Sequence, residues 1–289
     1  MDARTSTRRS LIASTAVSTA ALVVASHDAA ATTSTRIASK GMLMTQSTPE
    51  STPVNTTPTV VLVHGAFADA SSWAGVIASL QASGIPVIAV ANPLRGIAVD
   101  AEAITRTIAG IAGPVLLVGH SYGGAVITVA GTSASNVIGL VYVAAFALEE
   151  GETALEVLGS HTPTALGTAL VPGSVPPSEA EVELIIDPAQ FPAIFAADLP
   201  AEQAAVLAVS QRPVAGAAFQ EPSGAAAWKT LPTWYVVATE DQALGIDVET
   251  FFAERIGGTI VEVEASHAIA VSKPDAVVEV IVSALDSLA

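Results

Sequence analysis

The sequence has no cysteine, which removes disulfides, thiolate nucleophiles and cysteine-ligated metals together. It is also poor in cations: 11 Lys and Arg stand against 27 Asp and Glu in 289 residues, a formal net charge of −16. Phosphate is bound by clustered Lys and Arg, so a nucleic-acid partner is excluded. The five histidines lack metal-ligand spacing and no His-Glu-x-x-His run occurs, so neither a metal nor another cofactor is expected. Residues 11–25 form an apolar stretch. It is shorter than the ~20 residues a spanning helix needs and is interrupted by Ser and Thr, so no stable membrane anchor is expected.

The same stretch has another reading. Thr7-Arg8-Arg9-Ser10-Leu11-Ile12 precedes it and Ala29-Ala30-Ala31 follows, so residues 1–31 read as a twin-arginine export signal with a small-residue cleavage site. The expected location is therefore exported, secreted or periplasmic. Residues 32–57, rich in Ser, Thr and Pro and without apolar period, read as a flexible linker. With 51% hydrophobic residues in the chain, the remaining 58–289 can build one large core and one domain.

Within that domain, short β-branched runs alternate with helical patterns. Strands are expected at 59–63, 87–90, 115–118, 137–143, 233–238 and 259–263. Their nearly continuous apolar character predicts an α/β fold, a mostly parallel sheet covered by helices on both faces. Trp73, Val76, Ile77 and Leu80 recur at helical spacing, with Ser71 placed to cap that helix and Gly84 to stop it. Val99, Ala103, Ile104, Ile108 and Ile111 form a second stripe, and Ser272 is placed to cap the last helix. The alternation breaks at about 147–231, where prolines, acids and short helical patterns occur without a convincing strand. That is too long for one loop, so a helical cap inserted after the fourth strand is expected. Its Leu155, Leu158, Leu166, Phe191, Ile194 and Phe195 could pack as core or line a pocket.

Gly119-His120-Ser121-Tyr122-Gly123-Gly124 sits between an expected strand and an expected helix. A Gly-x-Ser-x-Gly turn in that setting lifts the serine hydroxyl above the sheet, and the flanking glycines leave room for the sharp backbone. A helix starting there points free N–H groups at a developing oxyanion. The bland alternative is a glycine-rich turn with an incidental serine. Among the histidines, only His267 follows a late strand without a competing local explanation, since His27 lies in the signal, His161 in the cap, His120 beside Ser121 and His64 before Gly65. Glu240, Asp241 and Asp247 all lie near the end of the 233–238 strand, and any of them could be its acid.

From residue 58 onward the chain resembles the α/β-hydrolases, and within them the small esterases related to plant salicylate-type methyl esterases and hydroxynitrile lyases. The resemblance rests on Val63-His64-Gly65-Ala66-Phe67, the serine turn, Ala238-Thr239-Glu240-Asp241, and Ala265-Ser266-His267, in that order. It implies a catalytic Ser121, Asp241 and His267, an oxyanion hole from the backbone N–H groups of Ala66 and Tyr122, and Phe67 beside the substrate. The implied partner is a small-molecule ester. The aspartate nucleophile of haloalkane dehalogenases and epoxide hydrolases is absent. Hydroxynitrile lyases of this resemblance carry Thr and Lys where this chain has Gly65 and Ala268, so the features of lyase chemistry are missing. A cofactor-free perhydrolase or haloperoxidase would share the same triad, and a non-catalytic binding protein could retain it.

Overall fold

A computed structural model describes residues 57–173 and 182–289. The export-signal and linker readings, apart from Thr57, lie outside the described residues, as does His27.

Six parallel strands make the main sheet: β1 (Thr59–Val63), β2 (Val87–Val90), β3 (Val115–His120), β4 (Val137–Val143), β8 (Thr233–Ala238) and β9 (Thr259–Val263). Their order across the sheet is β2-β1-β3-β4-β8-β9. β1, β3, β4 and β8 lie inside the sheet and are almost wholly buried, which is why they are built from Val, Leu, Ile and Tyr. The outer strands are not: Ile88 on β2 and Ile260 on β9 are exposed. Successive β1 residues feed opposite faces, Val61 and Val63 one core and Val60 and Leu62 the other. The first core is closed by α2 (Ile97–Ala109), α3 (Tyr122–Ser133) and α8 (Ile246–Ile256); the second by α1 (Ala74–Ala82), α9 (Ile269–Ser272) and α10 (Pro274–Ser287).

The chain passes from β1 to β2 on one side, then returns to lay β3 on the other side of β1. That reversal opens a crevice beyond the carboxyl ends of β1 and β3, the usual ligand position in open parallel sheets.

Three local expectations are corrected. Asp69, not Ser71, caps the turn before α1, its carboxylate accepting the Ser71 N–H at 2.7 Å. Ser272 ends α9 and does not cap α10, which begins at Pro274 without a side-chain cap. The buried face of α2 is Ile97, Asp100, Ala101, Ile104 and Ile108, while Val99 points outward.

Between β4 and β8 lie α4 (Ala154–Ser160), α5 (Leu166–Ala169), α6 (Phe191–Phe195) and α7 (Ala201–Val209). A three-stranded antiparallel sheet joins them: β5 (Leu170–Pro172), β6 (Glu183–Ile186) and β7 (Val214–Ala215). No strand was expected here from the sequence, because runs this short and half-exposed carry no clear alternation. Two ion pairs tie the insertion to the sheet domain: Arg255 of α8 grips Glu152 through both its terminal nitrogens at 2.5 and 2.8 Å, and Arg95 meets Glu183 at 2.5 Å. Among the described residues no helix is long and apolar enough to cross a membrane.

The start of α3 rests directly on the end of β1. A Cβ at Gly123 would collide with the Val63 carbonyl oxygen, backbone that cannot step aside. Gly123→Ala should therefore lower stability by about 1–3 kcal/mol, read as a reduced urea midpoint with unchanged m-value.

Candidate active site

Ser121 sits between β3 and α3 with φ 52° and ψ −124°, a conformation L-residues avoid. Its own backbone is held in place: the N–H donates to Val143 O at 3.2 Å, and the carbonyl accepts from Gly124 N at 2.9 Å and Phe146 N at 3.1 Å. The loop after β1 runs against it. A Cβ on Gly65 would stand 2.6 Å from Ser121 Cβ and 2.9 Å from the His120 carbonyl, so only glycine fits.

That loop is locked by His64. Its Nε2 accepts the Asn92 N–H at 3.0 Å, which places the proton on Nδ1, where it is donated to Gly65 O at 2.9 Å. Burial lowers the His64 pKa, in keeping with a neutral ring. Tyr122 opens α3, so its N–H leaves the helix end without an intrahelical acceptor. Ala66 is buried, and its N–H also lacks a protein acceptor among the described residues. A buried N–H without a partner is costly, which suits a donor reserved for a substrate oxygen. The Tyr122 side chain is anchored elsewhere: its hydroxyl donates to Asp100 at 2.9 Å, and Asp100 also accepts the Arg95 N–H at 3.0 Å.

His267 follows β9 and is 2% exposed. Its Nδ1 lies 2.5 Å from Asp241 Oδ2. The second oxygen of Asp241 accepts from Ala243 N at 2.6 Å and Leu244 N at 3.0 Å. Burial opposes ionisation of this carboxyl, but the charge and hydrogen bond of His267 outweigh it and hold the pKa below the ordinary aspartate range. The other two acids near the strand end do not reach the histidine: Glu240 is exposed, and Asp247 accepts the Thr162 N–H at 2.9 Å and so ties α8 to the insertion. His120 braces His267 from behind, donating its Nε2 proton to the His267 carbonyl at 2.9 Å with ring centroids 4.7 Å apart. No hydrogen bond joins the Ser121 hydroxyl to His267 Nε2 among the described residues.

The insertion touches this site. Phe195 of α6 packs edge-to-face on His267 at 4.7 Å and stacks on Phe191 at 4.8 Å. Its carbonyl accepts the Ala268 N–H at 2.8 Å, while the Ser266 hydroxyl bonds Asp198. Phe191 and Phe195 are therefore packing residues around the histidine and line only a small recess of about 40 Å³ with Phe67. A separate apolar cavity, about 370 Å³, is bounded by Leu155, Leu158, Leu166, Leu170, Leu184 and Phe219. Ser121 is not on its wall. Phe219 links the two, stacking on Phe67 at 6.3 Å and meeting Tyr122 edge-on at 6.1 Å.

Sequence reasoning thus named Ser121, Asp241, His267, Ala66, Phe67 and Tyr122, which the fold gathers at one edge of the sheet. It missed Phe219, Asp100 and Glu249, a fully buried acid of α8 whose Oε2 accepts the Ala238 N–H at the end of β8. The last two had a signal, an acid standing on the apolar stripe of its own helix.

The chain matches the alpha/beta hydrolase family over residues 60–280. It belongs to that family. As a hydrolase of this family it is 27% identical over 246 residues to an "Alpha/beta hydrolase nvfD" of Aspergillus novofumigatus, covering 78% of this chain and 95% of that one. Similar solved structures include a pyrethroid hydrolase from Sphingobium faniae, with a TM-score of 0.66, 23% identity and coverage of 79% and 97% of the two chains. An Arabidopsis methylesterase has a TM-score of 0.65 at 19% identity, covering 80% of this alpha/beta hydrolase and 100% of its own chain.

Burial, then the neighbouring His267, lowers the His120 pKa from 6.5 to about 3. Below pH 6.5 the unfolded chain takes up a proton that folded His120 refuses, so stability falls as pH drops, and this loss levels off near pH 3. The slope is about 1.4 kcal/mol per pH unit within that window. Urea midpoints at pH 7 and pH 5 should show His120→Asn losing about 2 kcal/mol less than wild type between them. Equal losses would mean that His120 is not the buried neutral group described.

Proposed function

We propose that this alpha/beta hydrolase cleaves carboxylic esters through an acyl-enzyme on Ser121. His267 takes the serine proton and later activates water, Asp241 holds the imidazole in its Nδ1–H tautomer, and the Ala66 and Tyr122 N–H groups bind the oxyanion. The observation that carries the reading is the buried 2.5 Å His267–Asp241 pair at the same sheet edge as the strained Ser121 turn. The methylesterase name borne by one similar structure supports ester chemistry.

The alternative of cyanohydrin cleavage is disfavoured by the first loop. Gly65 has no space for a side chain beside Ser121, so the threonine hydroxyl implied for lyases has nowhere to stand. Ala268 is buried and brings no cation to stabilise departing cyanide, and Lys273 is exposed at the start of α10.

Ser121→Ala should abolish hydrolysis of p-nitrophenyl butyrate without changing the urea midpoint. Asp241→Asn should cost about 10⁴ in kcat, whereas Glu240→Gln stays within a few-fold of wild type. Cyanide release from mandelonitrile without ester turnover would overturn the assignment.

The apolar cavity points to esters with a bulky hydrophobic portion. With Phe219 between cavity and site, that portion would rest on the leucines of the insertion while its carbonyl meets Ser121. Leu158→Trp should then lower kcat/KM for an octanoate ester about 10-fold more than for the acetate. Equal losses on both would remove the cavity from the substrate path.

A further inference from the structure

Behind Asp241 lies a second carboxyl group that the proposed chemistry does not use. Glu249, on the first turns of α8, is fully buried. Its Oε2 accepts the Ala238 N–H at 2.9 Å, at the very end of β8. Its other oxygen, Oε1, is buried and faces no donor among the described residues. Asp241 turns back on the same strand end, its N–H donating to the Ala238 carbonyl at 3.1 Å, which brings the two carboxyl groups close enough for their charges to oppose each other.

Two buried acids held at one strand end cannot both ionise, because each charge opposes the other and burial penalises both. The proton goes to the one with fewer donors. Asp241 accepts from His267, Ala243 and Leu244, whereas Glu249 accepts from Ala238 alone. We propose that Glu249 is a positioning residue of the triad, a neutral carboxylic acid whose O–H donates to Asp241 and fixes that carboxylate against His267. This rests on the reading of Asp241 and His267 as acid and base. Burial, and then the Asp241 charge, push the Glu249 pKa well above the ordinary carboxyl range, the direction the geometry requires. The titratable groups facing the pair are His267 after β9, Tyr235 on β8, and His120 behind His267. Tyr235 is engaged at its hydroxyl by the Ala145 carbonyl at 2.6 Å and N–H at 2.9 Å, so the proton between the acids belongs to Glu249.

The arrangement has a purpose that one carboxylate alone would not meet. An O–H donor polarises and orients Asp241 without adding a second charge, so the imidazolium formed during attack sees a single fixed anion.

Glutamine is the isostere of the acid form, since its amide N–H can donate to Asp241 while its oxygen keeps the Ala238 N–H. Glu249→Gln should therefore hold kcat/KM within about 3-fold and leave its pH profile in place. Glu249→Met, which loses both bonds, should lower kcat about 10-fold or more with KM little changed. It should also move the acid limb of kcat/KM to higher pH, because Asp241 short of a donor is more basic and favours imidazolium. A purely structural role would lower active-enzyme yield without moving that limb. Infrared difference spectra at pH 7, wild type minus Glu249→Gln, should contain the C=O stretch of a protonated carboxylic acid. That measurement needs no turnover, so it stands apart from the ester-hydrolase assignment, which Ser121→Ala tests. Absence of the band overturns the proposal, as does a folded Glu249→Gln as impaired as Glu249→Met.

Discussion

Ser121 holds a backbone conformation that costs on the order of 1–3 kcal/mol for a non-glycine residue, and much of the surrounding structure exists to hold it there. The Ser121 N–H donates to Val143, the last residue of β4, and its carbonyl accepts from Phe146 just beyond that strand, so the neighbouring strand fixes the turn from one side. On the other side Gly65 and Gly123 let the end of β1 close to backbone contact. A side chain at either position would force β1 and β3 apart and relax the turn. The sheet order matters for the same reason, because only the reversal at β1 brings the first loop and the serine turn to adjacent strand ends.

Around that turn stand three histidines with two kinds of setting. His64 and His120 are neutral and serve as hydrogen-bonded struts, one gripping the loop after β1, the other the carbonyl of His267. Only His267 is given a carboxylate partner. The separation is made by which ring nitrogen finds a donor or an acceptor, so residues of one type take different hydrogen-bonding roles around one turn.

Much of this was legible in the sequence because it depends on local pattern. Continuous Val and Leu runs announce buried parallel strands, and a serine between glycines after such a run announces the turn. The expected 115–118 strand runs on to His120, which brings the strand's last residue next to Ser121. What was not legible depends on partners far away in the chain. Asp241 could be separated from Glu240 and Asp247 only by family resemblance, since the choice turns on which acid meets His267 across the β8–β9 edge. The small sheet of the insertion pairs segments too short to show alternation. Asp100 and Glu249 were overlooked because an acid on a helix usually means solvent. Each nevertheless stands in line with apolar residues on its helix: Asp100 with Ile97, Ile104 and Ile108, Glu249 with Phe252, Ala253 and Ile256. Charged residues in phase with an apolar stripe merit the same attention as a motif.

Phe195 and Asp198 belong to the insertion, yet their contacts are with His267, Ala268 and Ser266. The module that lines the apolar cavity is thus also the clamp on the imidazole loop, and exchanging it whole replaces both. Recombining insertions among relatives to obtain new selectivity would transplant the clamp along with the cavity. Chimeras that keep the native segment 191–210 and exchange only the leucine-lined part would separate the two duties at a natural seam.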